Sequence, residues 1–197
     1  MSELLIDILN EDGSKTGKLA DINEIHNKGL WHKSSHLWIV NCKNQILLQK
    51  RSAKIINKPN LWHISSSGHV DSGEDSLDAI MREAKEEIGI ELNPTDLILI
   101  KSFKDYNNDS FSTRINNEFV DVYLLIKDLN INDLHLDLDE VSEVKFVELS
   151  DFRNMVRERE ANLAPLWIKF EFIINYLETN RILVEKSCRL QSNSLVM

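Results

Sequence analysis

Residues 68–90 read GHVDSGEDSLDAIMREAKEEIGI and place seven carboxylates within twenty-three positions. Glu83, Glu86 and Glu87 are close enough to repel one another. Like charges four apart on a helix cost a few tenths of a kcal/mol, so something must offset them, or the stretch is an ordinary solvated surface. The segment from Asp75 to Ile88 predicts a helix, ended by Gly89, which readily takes the left-handed conformation of a helix terminus. At about 100° of rotation per residue, Leu77, Ile80, Met81, Ala84 and Ile88 share one apolar face. Glu83, Glu86 and Glu87 then fall in a separate arc about 100° wide. Arg82 stands four residues before Glu86 and can hold its orientation.

Outward from this helix the chain alternates between strands and turns. LLIDILNEDGSKTGKLA predicts a hairpin turning at Asp12-Gly13. HLWIV and QILLQKR predict a second, turning at Asn41 to Asn44. NLWHISSSGHV predicts a short strand and a glycine bend. DLILIKSFKDY and EFVDVYLLIK predict strands joined by the polar loop 107–117, and EVKFVEL predicts a last strand. Ser150 is expected to cap a helix reaching Glu158, PLWIKFEFIINYLE to form a closing helix, and residues 187–197 to form a loose tail. Strands, one helix, further strands and then helices make an α+β chain, a mixed β-sheet flanked by helices with an N-terminal β-hairpin.

The chain has 197 residues, which suits a single domain with appended elements. A net charge of −9 argues against a nucleic acid polymer as partner, while a small phosphorylated ligand needs only a local basic pocket. The first residues lack the cationic start of a secretory signal, and no apolar run suits a membrane span. Cys42 and Cys188 sit in no metal-binding spacing and read as two reduced thiols of a cytoplasmic protein. Nothing distinguishes a monomer from a homodimer.

The opening stretch fits the spacing G-x5-E-x7-R-E-U-x-E-E-x-G-U, with U apolar, through Gly68, Glu74, Arg82, Glu83, Ala84, Glu86, Glu87, Gly89 and Ile90. At roughly 7% per specified residue, seven exact matches arise by chance about once in 10⁸ positions. This resembles the Nudix box, with Ala84 smaller than the usual aliphatic. The resemblance implies a Nudix-type α/β/α sandwich over residues 1–186, with a core near 30–150 and C-terminal helices over 150–182. It implies metal ligands at Glu83, Glu86, Glu87 and the Gly68 carbonyl, with Glu74, Arg82 and Gly89 structural. The ion implied is Mg²⁺, with Mn²⁺ as the alternative, since hard cations take carboxylate oxygen and substrate phosphate. Such ions would offset the carboxylate repulsion. The reaction implied is hydrolysis of a nucleoside di- or triphosphate, or a related linked diphosphate, by water attack on phosphorus. Glu86, Glu87 or a late carboxylate such as Glu140 would be the base.

GLWHKSSHLWIV, ILLQKRSAKIINKPNLWHISSSGH and LAPLWIKFEFII further resemble the branch related to isopentenyl-diphosphate isomerase. In that isomerase a metal site uses histidines and late glutamates, for which His26, His32, His69 and Glu140 are the nearest matches. Its catalytic cysteine falls where this chain has Ser67. A serine hydroxyl is a poor substitute for a thiol in moving protons across a double bond, which favours a hydrolase. Arg51, Lys54 and, more weakly, Lys58 are candidates for binding phosphate, and Trp62 for stacking on the substrate. His32 and His69 are candidates for a place in the site. The ordinary readings are a solvated strand end, a core tryptophan and hydrogen-bonded histidines. The alternatives to a hydrolase are an isomerase and a non-catalytic nucleotide or sugar-phosphate sensor.

Overall fold

The computed structural model describes residues 5–107 and 115–194, with side chains for all of these except 107 and 190–194. The polar loop 107–117 therefore lies largely outside the described residues. The elements are β1 (Leu5–Leu9), β2 (Lys15–Asp21), α1 (Ile22–Lys28), β3 (His32–Val40), β4 (Gln45–Arg51), β5 (Trp62–His63), β6 (Ser66–His69), α2 (Ser76–Ile88), β7 (Leu97–Asn107), β8 (Asn116–Ile126), β9 (Val141–Glu148), α3 (Leu149–Glu158), α4 (Trp167–Thr179) and α5 (Arg181–Ser194). Strands β1 and β2 pair separately, and the mixed sheet runs β5-β4-β3-β8-β7, with β6 paired to β3 and β9 to β4.

The chain divides into two compact units, one holding the residues up to Leu37, Ser66–Glu86 and Ile90–Leu124, and the other Trp38–Ser65, Glu87–Gly89 and the residues from Leu125 on. In the first unit, β3 and β6 run antiparallel with Ser34 opposite His69, Ser35 opposite Gly68 and His36 opposite Ser67. Ile6, Ala20 and Ile25 form an apolar cluster under the β1–β2 hairpin and α1. In the second unit, β9 lies antiparallel to β4. There the rings of Trp38, Phe152 and Phe170 meet at centroid distances of 5.3–6.0 Å.

Helix α2 forms much as its sequence predicts. Asp75 is its cap, its carboxylate accepting from the Leu77 and Asp78 amides. Ala79, Ile80, Ala84 and Ile88 are fully buried. Gly89 ends the helix at φ 71°. The amides of His135 and Asp137 donate to the Ile88 and Glu87 carbonyls, closing orphan acceptors at that end.

Several expectations are corrected. Helix α1 was not anticipated, although Asp21 caps it by accepting from the Asn23 and Glu24 amides and Gly29 closes it at φ 62°. Seven residues are too few for a hydrophobic period to show. Ser150 lies inside α3, whose N-cap is Glu148. Helix α5 runs to Ser194, through most of the expected tail. Cys42 and Cys188 are not free thiols: a disulfide joins them across 146 residues, with Cα atoms 5.6 Å apart. A tie closing so long a loop stabilises by about 5 kcal/mol in the chain-entropy account. Among the described residues no helix is long and apolar enough to cross a membrane.

Candidate metal and phosphate site

Helix α2 carries Arg82, Glu83 and Glu86 in the first unit and Glu87, its penultimate residue, in the second. Arg82 is the hub of the first group. Its Nε and Nη2 donate to the two oxygens of Glu74 at 2.9 and 3.1 Å, and its Nη1 donates to Glu83 Oε1 at 2.8 Å and Glu86 Oε2 at 3.0 Å. Nη2 also donates to the His69 carbonyl at 3.1 Å, tying the helix to β6. The Glu74 hydrogen bond leads the causes that hold Arg82 protonated, and the same bond holds the Glu74 carboxyl below its usual range. Asp71, 3.7 Å from Arg82, is instead pushed up by burial, which outweighs the attraction.

Gly68 shows why its place admits no side chain. A Cβ there would collide with the carboxyl end of Glu83. The glycine lets the Glu83 carboxylate lie against the β6 backbone, and the Glu86 carboxylate is reached by the same Arg82 nitrogen. One cation, the Arg82 guanidinium, already bridges Glu83 and Glu86. Hard oxygen donors around a point that attracts positive charge fit Mg²⁺ or Mn²⁺.

Glu87 is 4% exposed, and Gln49 Nε2 donates to both its oxygens at 3.2 and 3.3 Å. Arg51 lies at the end of β4, with Nε donating to the Asn57 carbonyl at 2.9 Å. Burial lowers its pKa, opposed by the negative charges of Glu87 and Glu140. Thus Arg51, Glu87 and Glu140 are electrostatic neighbours in the second unit. The Glu140 carbonyl also accepts from the Ser52 amide at 2.8 Å. Lys54 pairs with Asp139. Trp62, expected to offer a stacking face, is only 7% exposed, and the Lys145 ammonium sits 4.0 Å from its ring centroid.

A second cluster in the first unit was legible only in part. His26, His32 and His69 bring one nitrogen each to within 4.8 Å of one another. The His32 Nδ1–H donates to the Leu30 carbonyl at 3.0 Å, which leaves Nε2 as the lone-pair nitrogen. That nitrogen is buried without a hydrogen bond and lies 3.5 Å from Glu118 Oε1. Burial drives the His69 pKa down to about 3, leaving a neutral imidazole able to donate its lone pair. The carboxylate seen beside His32 is Glu118, which the sequence does not single out, while Glu140, the sequence candidate, lies in the second unit near Arg51. The missed signal is a charged residue, 7% exposed, inside a strand otherwise rich in apolar residues.

A family profile described as the NUDIX domain matches residues 31–167. Nudix hydrolase 3 of Arabidopsis thaliana is 34% identical over 175 residues, covering 87% of this chain, which spans 23% of the plant protein's length. An isopentenyl-diphosphate Delta-isomerase of Shigella flexneri is 30% identical over 148 residues, covering 73% of this chain and 76% of the isomerase. Among solved structures, a Deinococcus radiodurans protein aligns with a TM-score of 0.66 at 21% identity, over 85% of this chain and 97% of that one, and so shares its fold.

Proposed function

The chain belongs to the Nudix family, and from that premise we propose that it is a metal-dependent pyrophosphohydrolase acting on a small substrate, a nucleoside di- or triphosphate or a related linked diphosphate. The observation that carries this reading is the single guanidinium bridging Glu83 and Glu86 beside a glycine that has no room for a side chain. Glu83, Glu86, Glu87 and the Gly68 carbonyl are the ligands assigned to Mg²⁺ or Mn²⁺. The ion would supply positive charge and Lewis acidity for attack on phosphorus. Arg82 and Glu74 hold Glu83 and Glu86 in place, as Gln49 holds Glu87. Arg51, charged and partly desolvated, is suited to a substrate phosphate. Glu140, Glu86 or Glu87 accepts the proton of the attacking water.

The three histidines and Glu118 form a mixed nitrogen and oxygen donor set suited to a divalent ion that accepts imidazole as well as carboxylate, such as Zn²⁺ or Mn²⁺. This set and the isomerase relative favour one second reading, an isopentenyl-diphosphate isomerase, against which Ser67 stands.

The test is a hydrolysis screen with Mg²⁺ and Mn²⁺ over nucleotides, nucleotide sugars, dinucleotides and isoprenoid diphosphates. It expects phosphate or pyrophosphate release from one class, and no dimethylallyl diphosphate from isopentenyl diphosphate. Isomer formation would replace the hydrolase reading with the second one. Tight binding without turnover of any compound would reduce the protein to a sensor. Counting bound Mn²⁺ in wild type and His32→Ala tests the histidine cluster: the variant should lose one ion.

A further inference from the structure

The Cys42–Cys188 disulfide borders a cavity of about 360 Å³, whose walls include both cysteines, Lys43, Arg181, Arg189 and Glu185. That volume lies within the range of small-molecule pockets. Three cations and one carboxylate stand among these residues, and the Asp128 carboxylate accepts from the Cys42 amide at 2.8 Å, which leaves the surroundings of the disulfide net positive in a chain whose net charge is −9. Neither cysteine is fully buried. Structural disulfides are commonly enclosed in apolar surroundings, whereas exchange-active sulfurs sit in accessible, electropositive ones. Among the described side chains of the helix tied down, Val184 is buried and Ile182 is 67% exposed.

We propose that Cys42–Cys188 is a thiol–disulfide exchange site, whose cavity takes small anionic thiols and which reversibly ties α5 to the β3–β4 turn. A thiolate of the small molecule attacks one cysteine sulfur. The S–S bond breaks, a mixed disulfide forms, and the other cysteine leaves as a thiolate. A second small thiolate then attacks the mixed disulfide at the small molecule's own sulfur. This releases the oxidised small disulfide and leaves two reduced cysteines, so two electrons pass from two thiols to the protein. The cations draw in the anionic thiol and stabilise the departing cysteine thiolate. This inference does not depend on the proposed hydrolysis.

The test uses the whole chain in native buffer, with reduced glutathione as the anionic probe and 2-mercaptoethanol as the neutral one, followed by intact mass and by hydrogen exchange. Glutathione should reduce the disulfide without denaturant, and Cys42→Ser or Cys188→Ser protein treated with oxidised glutathione should carry one glutathione adduct. Amide exchange in α5 should rise on reduction while α2 is unchanged. The exposed-charge variant Lys43→Ala/Arg181→Ala/Arg189→Ala should slow the glutathione reaction about threefold or more, and rising salt should do the same to wild type. Its rate with 2-mercaptoethanol should be unchanged. Three results would overturn the proposal: two free thiols in air-oxidised protein, reduction only after unfolding, or equal slowing of both probes in the charge variant.

Discussion

Replacing Gly68 by alanine tests the geometry of the carboxylate site most directly. Gly68 has no unusual backbone conformation, so alanine meets no penalty from φ. Its Cβ would instead overlap the carboxyl end of Glu83. That end belongs to a flexible side chain, which can swing aside. The cost to folding is then the 2.8 Å bond from Arg82, a charge-assisted bond in a partly exposed setting, and is about 1–2 kcal/mol. For a chain of this size the melting temperature should fall by about 2–8 °C. The cost to function should be far larger, because the carboxylate would stand an ångström or more from its place. A displacement of that size lowers turnover by about 10²-fold, and Mn²⁺ affinity should weaken by at least tenfold, the lower end of what disturbed metal surroundings cost. Calorimetry, a Mn²⁺ titration and hydrolysis of the substrate found by the screen would measure the three quantities. The decisive comparison adds the same change to Glu83→Ala protein. With the colliding carboxyl gone, Gly68→Ala should be nearly silent in stability and metal binding. An equal loss in both backgrounds would refute the collision as the reason for glycine, as would wild-type metal affinity in the single variant.

Glu86→Gln and Glu87→Gln should each lower kcat/KM by about 10²-fold or more while keeping the fold; a variant with wild-type kinetics would remove that residue from the site. In metal-free protein, the folded His69 ring resists protonation down to about pH 3, whereas the unfolded one titrates near its ordinary 6.5. The unfolded state thus binds more protons in that window, so stability should fall as pH drops from about 6.5 toward 3. Melting curves of wild type and His69→Gln in chelator should converge on acidification, and parallel curves would refute the assignment. Gly89→Ala combines a φ of 71° with His135 main-chain atoms at 2.8 and 2.9 Å, and should cost about 2–4 kcal/mol. Gly73→Ala, at φ 94° with open space around it, should cost about 1 kcal/mol; denaturant titrations giving equal losses would show that the His135 contact is not tight.

The box helix was legible because its information is local. The apolar stripe, the Arg82-to-Glu86 spacing and the terminal glycine are local features, and the structure has the buried Ile80, Ala84 and Ile88, the Arg82–Glu86 pair and Gly89 in those roles, while Asp75, expected as the first helical residue, caps the helix instead. Most strands were legible too, from alternation and turn residues, but the glycine bend expected at SSSGHV is strand β6, with Gly68 paired opposite Ser35, because so short a strand shows no alternation. Tertiary structure decided what lies far apart in sequence. Glu118 meets His32 across 86 residues, and Cys42 meets Cys188 across 146. The His135 and Asp137 amides close α2 from nearly fifty residues downstream. Trp62, plausible from sequence as a stacking surface, is covered by Lys145 from another strand. Residue spacing encodes a helix face because the helix repeats. Strand order, register and burial arise only when the chain closes on itself, and they determine which carboxylate, ring or sulfur stands beside which.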